Sequence, residues 1–127
     1  MDENEISREI LDAALKIHQK LGPGLLESVY EGVLAYELER RGLQVLRQVP
    51  VSVEYETLRF ENAFRIDLLV NEKVVVELKA VEEFALVHKR QVLTYVRLRK
   101  LKLGLLINFG AATLKEGVAR VVNGLPD

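Results

Sequence analysis

Two short strand-like runs, each carrying an acid, constrain this chain more than any other feature. FRIDLLV (64–70) and VVVELKA (74–80) flank Asn71-Glu72-Lys73. A three-residue connection between such runs makes a β-hairpin. Val70 then faces Val74, and Asp67 falls opposite Glu77. Side chains alternate along a strand, so Arg65, Asp67, Glu77 and Lys79 are expected on one face. Phe64, Ile66, Leu68 and Val70, with Val74, Val76, Leu78 and Ala80, are expected to point the other way, into a core. Two carboxylates directly across a ladder repel each other. Either a divalent cation sits between them with Lys79 alongside, or Arg65 and Lys79 neutralise them as a cross-strand charge network. A one-residue slip of register would separate the two acids.

The length of 127 residues fits one compact domain, 1–127, and a hydrophobic fraction of 49% supplies a core. The absence of cysteine excludes disulfides and thiolate-held zinc. No run reaches the length of a membrane span, and MDENEISREI is too acidic and polar for a signal peptide. The expectation is a cytoplasmic protein with no membrane partner. The net charge of −1 conceals an asymmetry. Residues 1–84 hold 10 basic and 17 acidic side chains, whereas residues 85–127 hold 8 basic and 2 acidic. Much of the positive charge lies in HKRQVLTYVRLRKLK (88–102). Such a block attracts phosphates locally, or it is a solvated face that pairs with acids of the first half.

Ile6, Ile10, Leu11, Ala14, Leu15 and Ile17 follow helical spacing over 5–20. Asp2, Asn4 and Ser7 are the candidate caps, and Gly22 and Pro23 end the helix. A second helix is expected over about 25–41, stopped by Gly42. The short connection packs the two side by side. LQVLRQVPVSVEYE (43–56) reads as a strand, with Pro50 indicating an edge or a bulge. Residues 57–61 extend it or form another short strand. After the hairpin come a helix over 84–101, a buried apolar strand over 101–109, and a last short helix over 113–122. The expected architecture is a mixed sheet, an antiparallel hairpin plus a parallel strand, flanked by helices.

Gly24-Leu25-Leu26-Glu27-Ser28-Val29-Tyr30, together with Asp67 and Glu77-Leu78-Lys79 on the hairpin, resembles the GxxExxY family of the PD-(D/E)XK nuclease superfamily. The likeness continues through EGVLAYELERRGL, RQVPV, RIDLLV, VVVELKAVE, HKRQVLTYV and LKLGLLINFG. Ile66 stands where the superfamily name has proline. The resemblance implies a restriction-endonuclease-like core with two N-terminal helices. It also implies Asp67 and Glu77 as metal ligands, with the Leu78 carbonyl assisting. Lys79 would orient or deprotonate the attacking water, and Glu27 would reach the metal directly or through water. Gln91 and Tyr95 would border the site.

The residue types suit the chemistry. Mg2+ is a hard cation held by carboxylate oxygens and water, Mn2+ can take its place, and a lysine supplies a compact charge. His88, Lys89 and Arg90 are candidate phosphate contacts. For His88 the alternative is a structural role at a helix start, and for Glu27 it is favourable placement at a helix N-terminus. Tyr30 and Tyr36 read as packing residues with a polar tip, and His18 as a surface residue. The expected activity is Mg2+-dependent hydrolysis of phosphodiesters in DNA, or in RNA. A homodimer would widen the small basic surface. The alternative is a nucleic-acid-binding or protein-interaction module that keeps the fold without catalysis.

Overall fold

The computed structural model describes residues 1–126. Helices α1 (Glu3–Leu21) and α2 (Glu27–Arg40) precede strands β1 (Val45–Tyr55), β2 (Leu58–Val70) and β3 (Val74–Lys79). Helix α3 (Leu86–Leu98), β4 (Leu103–Asn108), a 3-10 turn (Lys115–Gly117) and β5 (Val118–Val122) complete the order. The strands form one sheet in the order β1-β2-β3-β4-β5. Only the β3–β4 pair, bridged by α3, is parallel. This is the mixed α/β sheet expected from the sequence.

The local signals account for most of these elements. Asp2 caps α1: its side chain accepts from the Glu5 amide at 2.8 Å, and Glu5 reaches back to the Asp2 amide at 3.1 Å. Such a reciprocal box satisfies two donors that the helix leaves unpaired. Gly22, at φ 68°, ends the helix and returns its N–H to the His18 carbonyl. The apolar faces of α1 and α2 pack on one side of the sheet. Ile6, Ile10, Leu34 and Leu38 are buried there with Leu68, Val70, Val74, Val76 and Leu78. Val92 and Val96 of α3 cover the other side, against Leu69, Val75 and Leu106. Strand β4 is buried on both faces along its whole length.

Three expectations are corrected. Residues 113–122 hold no α-helix. After one 3-10 turn the chain enters β5, whose Val118, Val121 and Val122 are β-branched and pair with β4. His18 is buried rather than on the surface, and its Nε2 lies 2.9 Å from the Ala111 carbonyl. Ile66 and Phe64 belong with the α3 side of the sheet, not with Leu68 and Val70.

The last correction has a backbone cause. Gln48, in the middle of β1, has a left-handed φ of 52°. Val45 packs on the α1–α2 side, but Val49 and Val51 pack on the α3 side. The same inversion occurs in β2 between Leu68 and Ile66. Pairing with β1 keeps its register through Arg47↔Leu68 and Val49↔Ile66 but omits Gln48 and Asp67. The left-handed residue turns the pleat over, as a bulge does, and it does so beside Asp67.

The far end of β3 is also fixed. Asn108 accepts from the Val81 and Gly110 amides, each at 3.0 Å, and donates to the Val81 carbonyl at 2.8 Å. A Cβ at Gly110 would lie 2.3 Å from that carbonyl, so the close approach needs glycine. These contacts hold the segment that follows Lys79.

Leu106→Ala, in the buried centre of β4, should cost about 2–5 kcal/mol of folding stability. Denaturant unfolding checks this. An unchanged midpoint would contradict the burial of β4 on both faces.

Candidate active site

The β2–β3 ladder runs only through Val70↔Val74, Leu69↔Val75 and Leu68↔Val76. The next pair in this register is Asp67 and Glu77, the pair the sequence predicts. There the carboxylates enter the ladder themselves. Glu77 Oε1 accepts the Asp67 backbone N–H at 2.9 Å, and Asp67 Oδ2 accepts the Leu78 backbone N–H at 2.9 Å. Each acid thus binds the backbone of the opposite strand. Glu77 is buried at 8% exposure, and Asp67 is half-buried.

Among the described residues, neither Asp67 nor Glu77 has a lysine, arginine or histidine nitrogen within salt-bridge distance. Arg65 is exposed and pairs across β1 with Pro50. The cross-strand charge network is therefore absent among the described residues, and burial outweighs the groups that oppose it. It raises the Glu77 carboxyl from 4.5 to about 8, with the neighbouring Asp67 charge adding to the effect and Lys79 opposing it. Asp67 is also raised, chiefly by burial, although the Leu78 amide pulls it down. Both shifts favour one proton held between the two carboxyls near neutral pH. An all-oxygen, buried, proton-holding pair is a donor set that suits a hard divalent cation, which would replace that proton.

Helix α2 brings two more acids towards the pair. Glu27, in its first turn, has its carboxyl raised by loss of water, then by Asp67 and Glu31, with Lys79 lowering it. Glu31, one turn later, is buried and acts electrostatically on Asp67. Its Oε2 receives both Nε and Nη2 of Arg47, at 3.1 and 3.0 Å. The Gln48 carboxamide donates to Glu31 Oε1 at 2.6 Å and to Asp67 Oδ1 at 3.3 Å. Among the described residues, no three acids or imidazoles converge into a ready cation cage. Glu27 is near the pair without joining it. Sequence reasoning missed Glu31 and Gln48. Glu31 had a usable signal, lying one helical turn after Glu27 on the same face.

The remaining candidates separate by position. Lys79 is half-buried at the end of β3 and close enough to influence Glu27 and Glu77. The Leu78 amide already serves Asp67, and Leu78 pairs with Ile107 on the β4 side. Tyr95 stacks on Phe64 at 4.1 Å between ring centres. Burial raises its hydroxyl, and the charges of Glu77 and Asp67 raise it further. Gln91 is exposed one turn earlier on α3. His88 Nδ1 accepts the Ala85 amide at 3.0 Å and closes the start of that helix, the structural alternative. Lys89 lies over the Phe84 ring at 5.5 Å, and Arg90 is exposed. Tyr30 is buried, stacks on Phe109 at 4.5 Å and donates its hydroxyl to the Gly22 carbonyl. The tyrosine thus pins the turn that leads to Glu27. Tyr36 is exposed on α2 beneath Arg40.

A family model for the PD-(D/E)XK nuclease superfamily matches residues 4–121. Among solved structures, the crystal structure of SSO0001 superposes with a TM-score of 0.58 at 18% sequence identity. The match covers 97% of this chain and 63% of that one, so the chain spans less than two thirds of that protein's length. At this identity the likeness concerns the fold alone. No curated protein matches the sequence.

The raised Glu77 carboxyl gives metal-free stability a definite pH dependence. The unfolded chain ionises Glu77 near 4.5, whereas the folded chain holds the proton to about 8. The associated stability is therefore complete below the unfolded value and is lost as pH rises through about 8. Thermal unfolding in chelator should show wild type falling relative to Glu77→Gln between these limits. The expected slope is about 1.4 kcal/mol per pH unit for one proton. A pH-independent difference would contradict the assignment.

Proposed function

The chain belongs to the PD-(D/E)XK nuclease superfamily, and from that premise we propose that it is a Mg2+-dependent nuclease hydrolysing phosphodiester bonds in DNA. The observation that carries the reading is the Asp67–Glu77 pair, drawn into the sheet with each carboxylate bonded to the backbone of the opposite strand and, among the described residues, no salt bridge to either. The GxxExxY motif, Gly24 to Tyr30, supports placing the chain in that subfamily. The whole activity, its substrate and its partners are part of the proposal.

Asp67 and Glu77 would hold the cation, with Glu27 and the Leu78 carbonyl as supporting oxygens. Bound there, Mg2+ supplies Lewis acidity to a phosphoryl oxygen and lowers the pKa of water. The chain's own residues do the rest. The Lys79 ammonium orients the attacking water and compensates charge that grows on the phosphate. Tyr95, stacked on Phe64, limits water access and borders the scissile group. Gln91, Lys89 and Arg90 on the exposed face of α3 contact the backbone phosphates, with His88 shaping the start of that helix. Arg97, Arg99, Lys100 and Lys102 are exposed as well. The surface is small, and a homodimer would lengthen it along the substrate.

Plasmid, linear and single-stranded DNA, with RNA alongside, should be incubated with Mg2+ or Mn2+. Cleavage of DNA that chelator abolishes is the expected result, with Lys79→Ala slower by about 10²-fold or more. Asp67→Asn should lose cation binding yet remain folded. Binding that weakens steeply with salt but never leads to cleavage, in wild type and Lys79→Ala alike, would contradict the nuclease reading.

A further inference from the structure

Gln48 combines two features that the nuclease reading does not use. Its backbone is left-handed in the middle of a strand, a conformation disfavoured for any residue with a Cβ. Its carboxamide nitrogen lies 2.6 Å from Glu31 Oε1 and 3.3 Å from Asp67 Oδ1. An amide NH2 group carries two protons, one for each carboxylate. The contacts continue on both sides. Glu31 Oε2 is held by the Arg47 guanidinium, and Asp67 Oδ2 accepts the Leu78 amide at 2.9 Å. An unbroken chain thus runs from Arg47 through Glu31, Gln48 and Asp67 to the backbone of β3.

A regular β1 would keep the alternation that Gln48 breaks. The left-handed backbone inverts the pleat at this residue and brings the carboxamide between two acids that would otherwise repel each other. A neutral donor suits this place: it quiets the repulsion without filling the site with a fixed positive charge. We propose that Gln48 is a positioning residue, whose carboxamide fixes the Asp67 side chain with one oxygen towards Glu31 and the other on the Leu78 amide. The consequence for cation binding rests on the reading of Asp67 as a ligand. The positioning itself does not.

Gln48→Gly tests this, because glycine accepts the left-handed backbone and removes the carboxamide together with the rest of the side chain. Gln48→Asn is the second variant. It tolerates the same backbone, but its amide is one methylene short of both acids. The first measurement is amide hydrogen exchange in metal-free protein, as the rate at Leu78 relative to Val75 in the same strand. Both variants should raise that ratio about tenfold, through a loosened hydrogen bond to Asp67. The second is calorimetric Mn2+ binding, which should weaken about tenfold. An unchanged Leu78 ratio overturns the positioning role whatever the metal does. A raised ratio with Mn2+ affinity within about twofold of wild type overturns its link to the site. Wild type that binds no Mn2+ counts against the metal reading, and the exchange ratio still decides the role of Gln48.

Discussion

The reciprocal bonding of Asp67 and Glu77 to each other's strand is the interaction on which this site depends. In an ordinary antiparallel pair, backbone carbonyls would accept the amides of Asp67 and Leu78. Here the side chains do so, and the regular ladder stops at Leu68↔Val76. The two carboxylates are drawn into the sheet and partly out of water. Burial then disfavours their charge more strongly than the two amides favour it, so Glu77 keeps its proton to about pH 8. A carboxylate pair in this condition is destabilising when fully ionised. A cation in place of the proton would relieve this, which is how the proposed chemistry would draw on the architecture of the hairpin.

The surrounding fold keeps that pair from relaxing. The α1–α2 layer and α3 clamp the sheet from opposite sides, and Tyr30 ties the loop before α2 to Gly22. Asn108 fixes the backbone just past Lys79. Left-handed Gln48 and its bonds to Glu31 and Asp67 hold the β1 side. The acids therefore sit where three elements, α2, β2 and β3, are each anchored, α2 and β3 by contacts outside the acid pair. Rigid support of this kind is what a catalytic constellation requires.

The hairpin register was legible in the sequence because the turn at 71–73 leaves one in-phase pairing for two apolar runs. That sufficed to place Asp67 opposite Glu77. The faces of Ile66 and Phe64 were not legible, since the left-handed residue that inverts the pleat is a glutamine. Nothing in its type announces positive φ as a glycine or asparagine would. Glu31 and Gln48 escaped for a related reason: their roles arise from contacts between α2, β1 and β2, which no local period encodes. His18 lies four residues after Ala14, on the same apolar stripe, so its burial was available from the helical repeat. The helix expected over 113–122 lost to the β-branched residues Val118, Val121 and Val122, which pair with the exposed edge of β4.

If the proposed site is real, a divalent cation takes the place of one proton on the Asp67–Glu77 pair. Isothermal titration of wild type with Mn2+ near pH 7, in buffers of different ionisation enthalpy, counts protons released per cation. The expected release is about one, and almost none for Glu77→Gln. Saturable binding to wild type with no proton released would contradict it.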